Sequence, residues 1–307
     1  MNIFSLVLAV FGLSLFEIIS SIDNAIINAE VLTTMKPKAR RWFLIWGLFS
    51  GVFIVRGLLP LLIVWVMAPS KGLAGAFLAS FSADQEVAHL IEASAPVLLM
   101  GGGVFLVFLF FHWIFLEPKN FGLPGERFIQ AQGVWFYAVV SIILAGVVWF
   151  GLSQRPILAF SAVVGSTAFF IIHGFRQQAE LAEKNLMNSG MSDISKILYL
   201  EVIDATFSID GVLGAFAFTL SVPIILLGNG LGAIVLRQLT ISNIGRIKKF
   251  LFLKNGAMYS ILFLGSIMIL DSFGLHIPHW VSPVLTFSVV GYFFLKSKQA
   301  LALISKK

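Results

Sequence analysis

Two short acidic motifs lie within strongly apolar sequence and repeat one pattern. Glu17 stands six residues before the aspartate of the Ser-Ile-Asp triplet 21–23, and Asp204 stands six residues before that of the triplet 208–210. Carboxylate, amide and hydroxyl oxygens are hard donors that suit Mn²⁺, Mg²⁺ or Ca²⁺, and neither motif contains His or Cys. The motifs therefore predict a site for a divalent metal cation, held by these ligands: Glu17, Asp23, Asn24, Asp204, Ser208 and Asp210.

The composition around these motifs is that of an integral membrane protein. Of 307 residues, 58% are hydrophobic and 12% are charged, and the mean hydropathy is +0.95. A membrane-spanning helix needs about 20 apolar residues, so the apolar runs predict an all-α fold with about nine transmembrane helices. No polar block of the sequence is long enough for a separate soluble catalytic domain, and we predict neither an enzyme nor a permanently bound cofactor. The predicted spans are 3–35, 42–68, 90–116, 134–152, 156–173, 197–220, 224–240, 255–270 and 280–295.

Charged side chains within these spans are costly and must be balanced. The acids in or near the membrane outnumber the two arginines there, Arg56 and Arg237, so ion pairs within the protein leave an excess of negative charge. Protons or a bound cation must supply the remainder. We expect Arg56, Arg237 and Glu201 to form ion pairs or to gate the site. The two acids of each motif lie about 120° apart on an unbroken helix, so we also predict a helix distortion within each motif.

The motifs belong to a longer internal repeat. The span after each motif carries the same Gly-Gly-Arg spacing, in residues 47–56 of the first half and residues 228–237 of the second. Five spans separate the two copies, so they run in opposite directions through the membrane. Inverted-topology repeats are typical of secondary transporters, whose binding site lies where the two copies meet. The glycines, Gly47, Gly51, Gly228 and Gly232, have the spacing of close helix packing.

The distribution of basic residues predicts the orientation. Most of the 21 Lys and Arg residues fall on one side if the N-terminus is outside and the C-terminus inside. The net charge of +6 is then explained without a nucleic-acid partner. Arg176 and Lys196 are assigned to the longest inside connection, which we expect to form an interfacial helix. The chain therefore divides into a first membrane half (1–173), a cytoplasmic interfacial linker (174–196) and a second membrane half (197–307).

The motif sequences resemble those of the TerC family of integral membrane proteins, named for an association with tellurium resistance. The resemblance rests on residues 17–28, on 204–211 followed by 215–217, and on 235–237, and it is greatest to the longer, nine-span branch of the family. It implies handling of divalent metals, chiefly Mn²⁺ export, with the acids of both motifs as ligands. One departure is Gly211, because a polar residue is common at this position in the family.

These observations predict a secondary transporter of a divalent cation, Mn²⁺ first and Ca²⁺ as the alternative, in the inner (cell) membrane of a bacterium. The partners expected are the lipid bilayer and the cation substrate, with a homo-oligomer or partner membrane proteins left open. A second hypothesis is a non-transporting membrane component that loads metal onto exported proteins or assembles with them. Two spans with aspartates also raise an intramembrane aspartyl protease, although the flanking Glu17 and Asp204 argue against it. An exporter of organic ions is the remaining alternative.

Overall fold

The computed structural model describes residues 3–47, 57–58, 65, 72, 75, 85–119, 121–188, 191–247 and 250–304, and every regular element in this part of the chain is helical. The predicted all-α class is confirmed for these residues. The α-helices are α1 (Ile3–Ser20), α2 (Ile22–Thr33), α3 (Pro37–Trp42), α4 (Gln85–Leu116), α5 (Glu126–Ala131), α6 (Phe136–Gln154), α7 (Pro156–Asn188), α8 (Asp193–Ala215), α9 (Val222–Ile247), α10 (Leu253–Ser272) and α11 (Val281–Ile304). A π-helical turn, Phe43–Gly47, follows α3, and a 3₁₀ turn, Gly133–Trp135, precedes α6.

Local sequence signals explain where several helices begin. Pro37 and Pro156 are the first residues of α3 and α7, where the missing N–H of proline has no helical partner to lose. Ser192 caps α8, because its Oγ accepts a hydrogen bond of 3.2 Å from the Ser195 N–H. Gly125 precedes α5 with φ of 96°, a left-handed conformation that glycine adopts without steric cost.

Six helical stretches in the described residues are long and apolar enough to cross a membrane: Ile3–Ser20, Ala93–Leu116, Gly133–Gln154, Pro156–Gln178, Val222–Leu239 and Leu253–Ser272. The predicted spans at 197–220 and 280–295 coincide with helices α8 and α11, but these are not in the apolar set. α8 carries the second acidic motif. Most of the predicted span 42–68 lies outside the described residues. Nine spans and their orientation therefore stay predictions.

The first predicted span is interrupted where its polar residues lie. α1 ends at Ser20 and α2 begins at Ile22, with Ser21 between them at φ −97° and ψ 3°. Hydrogen bonds from the Ser21 N–H to the Glu17 carbonyl (3.1 Å) and from the Ala25 N–H to the Ser21 carbonyl (2.9 Å) continue across the interruption. The break is thus a local distortion and not an unwound loop, and the distortion predicted for the first motif is confirmed. For the second motif it is wrong, because α8 is continuous through both of its acids.

Helix α4 forms the centre of the core and packs against α7 and α10. Glycines allow this contact: a Cβ atom on Gly103 would lie 2.8 Å from the Gly265 carbonyl oxygen on α10. α6 lies at the edge and is the least buried of the six apolar stretches. Its exposed side chains include Trp149 and Ile142, at 78% and 72% exposure. Such a face suits contact with lipid.

Helix α7 differs from the predicted linker. Residues 174–188 continue α7 without a break, so they do not form a separate interfacial helix. With 33 residues, α7 is about 50 Å long, which exceeds the hydrocarbon thickness of a bilayer. A single residue, Arg155, separates it from α6. The two helices therefore form a tight antiparallel hairpin.

Candidate cation-binding site

A cavity of about 100 Å³ lies where the two halves meet. Its walls come from α1, α2, the π-helical turn, α8 and α9. The volume is several times the roughly 10–15 Å³ that one water molecule needs, so the cavity has room for an ion and a few waters. Its lining residues are Glu17, Ser21, Asn24, Ala25, Asn28, Leu32, Phe43, Leu44, Gly47, Asp204, Ala233, Leu236 and Arg237.

Glu17 is fixed in this cavity by the close crossing of α1 and α9. A Cβ atom on Gly232 would lie 2.6 Å from the Ser14 carbonyl oxygen and 2.7 Å from the Glu17 Cβ, so only glycine fits at this crossing. Glu17 is 1% exposed, and its Oε1 accepts a hydrogen bond of 2.8 Å from the Ser21 hydroxyl. The interruption at Ser21 and the glycine of α9 together set the position of this carboxylate.

Asn24 and Asp204 bring the two motifs into direct contact. The Asn24 Nδ2 donates a short hydrogen bond to the Asp204 Oδ1, across α2 and α8. Asn24 is 5% exposed, and within the described part of the chain its Oδ1 receives no hydrogen bond; the buried Oδ1 of Asn28, one turn further along α2, receives none either. A buried acceptor without a donor costs roughly 1–3 kcal/mol. A cation in the cavity would remove this cost by accepting both amide oxygens as ligands.

The charges around the cavity favour an added cation. Among the described lining residues, Glu17 and Asp204 are acidic and Arg237 is basic, so the carboxylates outnumber the guanidinium. Glu201 lies beside the cavity, because a Cβ atom on Gly47 would be 2.5 Å from its Oε1. The predicted site residue Arg56 lies outside the described residues, and so does the side chain of Asp23.

Ser208 and Asp210, two further predicted ligands, do not line the cavity. The Ser208 hydroxyl donates to the carbonyl oxygen of Asp204 at 2.6 Å. Asp210 is 6% exposed, and its Oδ1 lies 3.4 Å from the Arg176 Nη2 on α7. The reason is the unbroken helix: α8 turns by about 100° per residue, so Asp210 faces about 120° away from Asp204. The structure thus brings Glu17, Asn24 and Asp204 together and separates them from Asp210.

Arg176, a residue of the predicted linker 174–196, lies in a continuous helix and not in a loop, while its side of the membrane stays a prediction. It lies on α7 within the apolar stretch Pro156–Gln178, and its side chain is only 12% exposed. One turn earlier, the ring of His173 lies 3.9 Å from that of His112 on α4, measured between centroids. Sequence reasoning assigned no role to either histidine. The available signal was a titratable residue within each of two apolar predicted spans.

A separate polar cluster joins α5 to α10. Glu126 is 2% exposed and accepts hydrogen bonds from the Asn255 Nδ2 (2.8 and 3.1 Å) and from the Tyr259 hydroxyl (3.0 Å). Nearby, Lys119 donates to the carbonyl oxygens of Trp113 and Glu117 at the end of α4. Burial lowers the pKa of Lys119 to about 8. The hydrogen bonds of Glu126 mark this cluster as a brace between helices.

Composition, apolar helices and a buried polar cavity together define a helical integral membrane protein. The chain belongs to the family described as "Protein of unknown function (DUF475)", whose sequence pattern matches residues 22–301. The match includes the second acidic motif, the last two residues of the first, and every described residue of the cavity except Glu17 and Ser21. No curated protein and no solved structure has significant similarity to the chain.

Proposed function

We propose that the protein is a secondary transporter of a divalent metal cation, with Mn²⁺ as the first candidate and Ca²⁺ as the second. The observation that carries the proposal is the cavity, where Glu17, Asn24 and Asp204 from both motifs surround a volume large enough for an ion. Two carboxylates, amide oxygens and a hydroxyl offer the hard oxygen ligands that these cations prefer, and water can complete the coordination. The cation is the substrate of the protein and not a resident cofactor.

The packing of the two halves supports a binding site between inverted repeats. Gly228 and Gly232 of α9, in the second half, pack against α1 in the first half. The related glycine of the first half, Gly47, packs against Glu201 on α8 in the second half. Each motif helix therefore contacts the glycine-bearing segment of the opposite half. In transporters built from inverted repeats, rocking of one repeat against the other exposes such a site to the two sides in turn.

Each cavity residue has a role in this proposal. Glu17 and Asp204 bind the cation by charge, and the amide oxygens of Asn24 and Asn28 replace part of its hydration shell. Arg237 is the counter-charge that limits repulsion between the two carboxylates when the cation has left. The resemblance to the TerC family agrees with this reading and adds the expected direction, which is export.

Flux of Mn²⁺ into proteoliposomes tests the proposal, with Ca²⁺ and Mg²⁺ as competitors. We expect wild-type protein to carry Mn²⁺, and the variants Glu17→Gln and Asp204→Asn to lose at least about tenfold in flux, because each removes a charge that binds the ion. Glu30→Gln is the matched control, since Glu30 is an exposed acid on α2. Wild-type flux in the two cavity variants would contradict the site.

The same assay separates the transporter from a metal-loading or assembly component. Absence of flux from folded wild-type protein would favour a component that acts only with partner proteins. Mn²⁺ binding to that protein, lost in Asp204→Asn, would then keep the cavity as a metal site while removing transport.

A further inference from the structure

Asn229 on α9 is a fully buried amide that forms no hydrogen bond with its side chain. It is 1% exposed, and within the described part of the chain neither its Oδ1 nor its Nδ2 has a hydrogen-bond partner. A donor and an acceptor that are buried without partners lower the stability of a fold. Asn255 on α10 is equally buried, at 2% exposure, but it donates to both carboxylate oxygens of Glu126. A bracing role therefore explains Asn255 and does not explain Asn229.

Asn229 lies on the face of α9 that borders the cavity. Ala233 and Leu236 line the cavity, and they follow Asn229 by four and seven positions, which is the spacing of one helical face. Leu227 and Leu231, on the opposite face of α9, are exposed. With a rise of 1.5 Å per residue, Asn229 is about 6 Å from Ala233 along the helix axis. The amide is thus one turn from the cavity, on the buried side of the helix.

The crossing of α9 with α1 gives the level of Asn229 relative to Glu17. A Cβ atom on Gly232 would lie 2.7 Å from the Glu17 Cβ, whereas one on Gly228 would lie 2.5 Å from the Leu13 Cβ. The two helices therefore run in the same direction where they cross. Asn229, which follows Gly228 directly, lies at the level of Leu13, one helical turn before Glu17.

Amide oxygens thus flank the carboxylates of the cavity on both sides. Asn24 and Asn28 follow Glu17 along the chain, and each has a buried Oδ1 that receives no hydrogen bond in the described residues. Asn229 lies at the other side of Glu17, towards the beginning of α1 and α9. Its neighbour one turn earlier on α9, Ile225, is fully buried in the hydrophobic core. Asn229 is therefore a polar position in an apolar layer next to the cavity.

We infer that Asn229 is a further ligand for the transported cation, which binds there as it moves between the cavity and the membrane surface near the beginning of α1 and α9. The inference rests on the proposed function. An amide oxygen replaces one water of the hydration shell of a divalent cation and adds no charge, so the ion binds weakly enough to leave again. Apolar side chains close this level in the structure, and rocking of the repeats opens it. The amide therefore acquires its partner only during transport.

Three measurements on Asn229→Leu test the inference: Mn²⁺ flux in proteoliposomes, Mn²⁺ binding in detergent and thermal unfolding. We expect the flux to fall at least about tenfold, because the ion loses a ligand on its path. Binding should stay within about twofold of wild type, because Glu17 and Asp204 are intact. The melting temperature should rise by about 2–4 °C, since no unpaired polar group is left buried at this position. Asn255→Leu is the matched control: it breaks the hydrogen bonds to Glu126, so its melting temperature should fall while its flux per folded protein is unchanged.

The outcomes separate this inference from the proposed function. Wild-type flux in Asn229→Leu overturns the role of Asn229 while the transporter stands. Mn²⁺ binding that weakens as much as the flux overturns it too, because Asn229 would then act by shaping the cavity. Absence of flux from folded wild-type protein removes both proposals. If Asn229→Leu does not fold, Asn229→Ala gives the same tests of flux and binding, because it removes the amide without adding a larger side chain.

Discussion

The two acidic motifs share a leading acid and a Ser-Ile-Asp triplet but have different surroundings. In the first, the helix is interrupted at Ser21, and the leading acid Glu17 is held by a hydroxyl from its own motif. In the second, α8 is continuous, the leading acid Asp204 reaches the cavity, and Asp210 turns to Arg176. The leading acids meet at one cavity although the helices that carry them differ in form.

This difference shows how related motifs acquire separate tasks. The partner of Asp210 comes from α7, a helix outside both copies of the repeat. A repeat in sequence therefore fixes which side chains are available, and helices between the copies decide which of them are left to bind a ligand. In this protein Asp210 pairs with Arg176 and holds α8 against α7, whereas Glu17, Asn24 and Asp204 line the cavity.

The largest expected effect comes from breaking the Arg176–Asp210 pair. Arg176→Gln leaves a buried carboxylate without its counter-charge, which costs roughly 3–5 kcal/mol in the free energy of unfolding. The double variant Arg176→Gln/Asp210→Asn should recover the part of this loss that comes from Asp210, because the uncompensated charge of that carboxylate is removed. Arg237→Gln is the comparison at the cavity. We expect it to lower the free energy of unfolding by at most about 1 kcal/mol, since water can enter the cavity. Unfolding in detergent measures the stability of all three variants. Equal losses of stability for Arg176→Gln and Arg237→Gln would contradict the difference between the two motifs.

A second, smaller effect distinguishes the glycines on either side of Glu17. Gly232→Ala places a methyl group 2.6 Å from the Ser14 carbonyl oxygen, so α1 and α9 must separate, at a cost of roughly 1–3 kcal/mol. Gly211→Ala meets the Glu17 Oε2 at 3.4 Å, an ordinary contact, and should cost less in stability. Thermal unfolding and Mn²⁺ binding report both variants. A greater loss of stability for Gly211→Ala than for Gly232→Ala would show that α8, not α9, positions Glu17.

The smallest effects concern single uncharged ligands. Asn24→Ala removes a cavity oxygen and the donor to Asp204, and we expect Mn²⁺ affinity to fall about tenfold. Ser208→Ala removes a hydroxyl that bonds to the main chain away from the cavity, so the affinity should change by less than about twofold. Calorimetric titration compares the two. A larger loss of Mn²⁺ affinity for Ser208→Ala than for Asn24→Ala would indicate that Ser208 is a ligand and that both motifs supply uncharged ligands.

Several features could be predicted from the sequence because they depend on local residue types. Apolar runs of helical length indicated an all-α membrane protein, and the described helices agree with this. The angle of about 120° between the two acids of a motif indicated a helix distortion, which occurs at Ser21 in the first motif. The glycine spacing indicated close helix contact, and Gly228 and Gly232 pack directly on α1.

Other features could not be predicted because they depend on tertiary contacts. The direction of Asp210 follows from the continuity of α8 and from the position of α7, neither of which a spacing rule contains. Arg176 stands at the end of an apolar run, where counting basic residues treats it as a loop charge. Residues 179–184 are all good helix formers. Helix α7 therefore continues well beyond its apolar part instead of ending at the predicted boundary.

The length of α7 gives it a mechanical property. A rigid rod of about 50 Å that pivots near its middle moves each end by about 4 Å for a tilt of about 10°. Because one residue connects α7 to α6, the hairpin tilts as a unit, and its lipid-facing surface tilts with it. The resting angle of the hairpin then depends on bilayer thickness, since a thinner bilayer favours a larger tilt of a long helix. We therefore expect lipid chain length to change the tilt of α7 and, with it, the position of Arg176 beside Asp210.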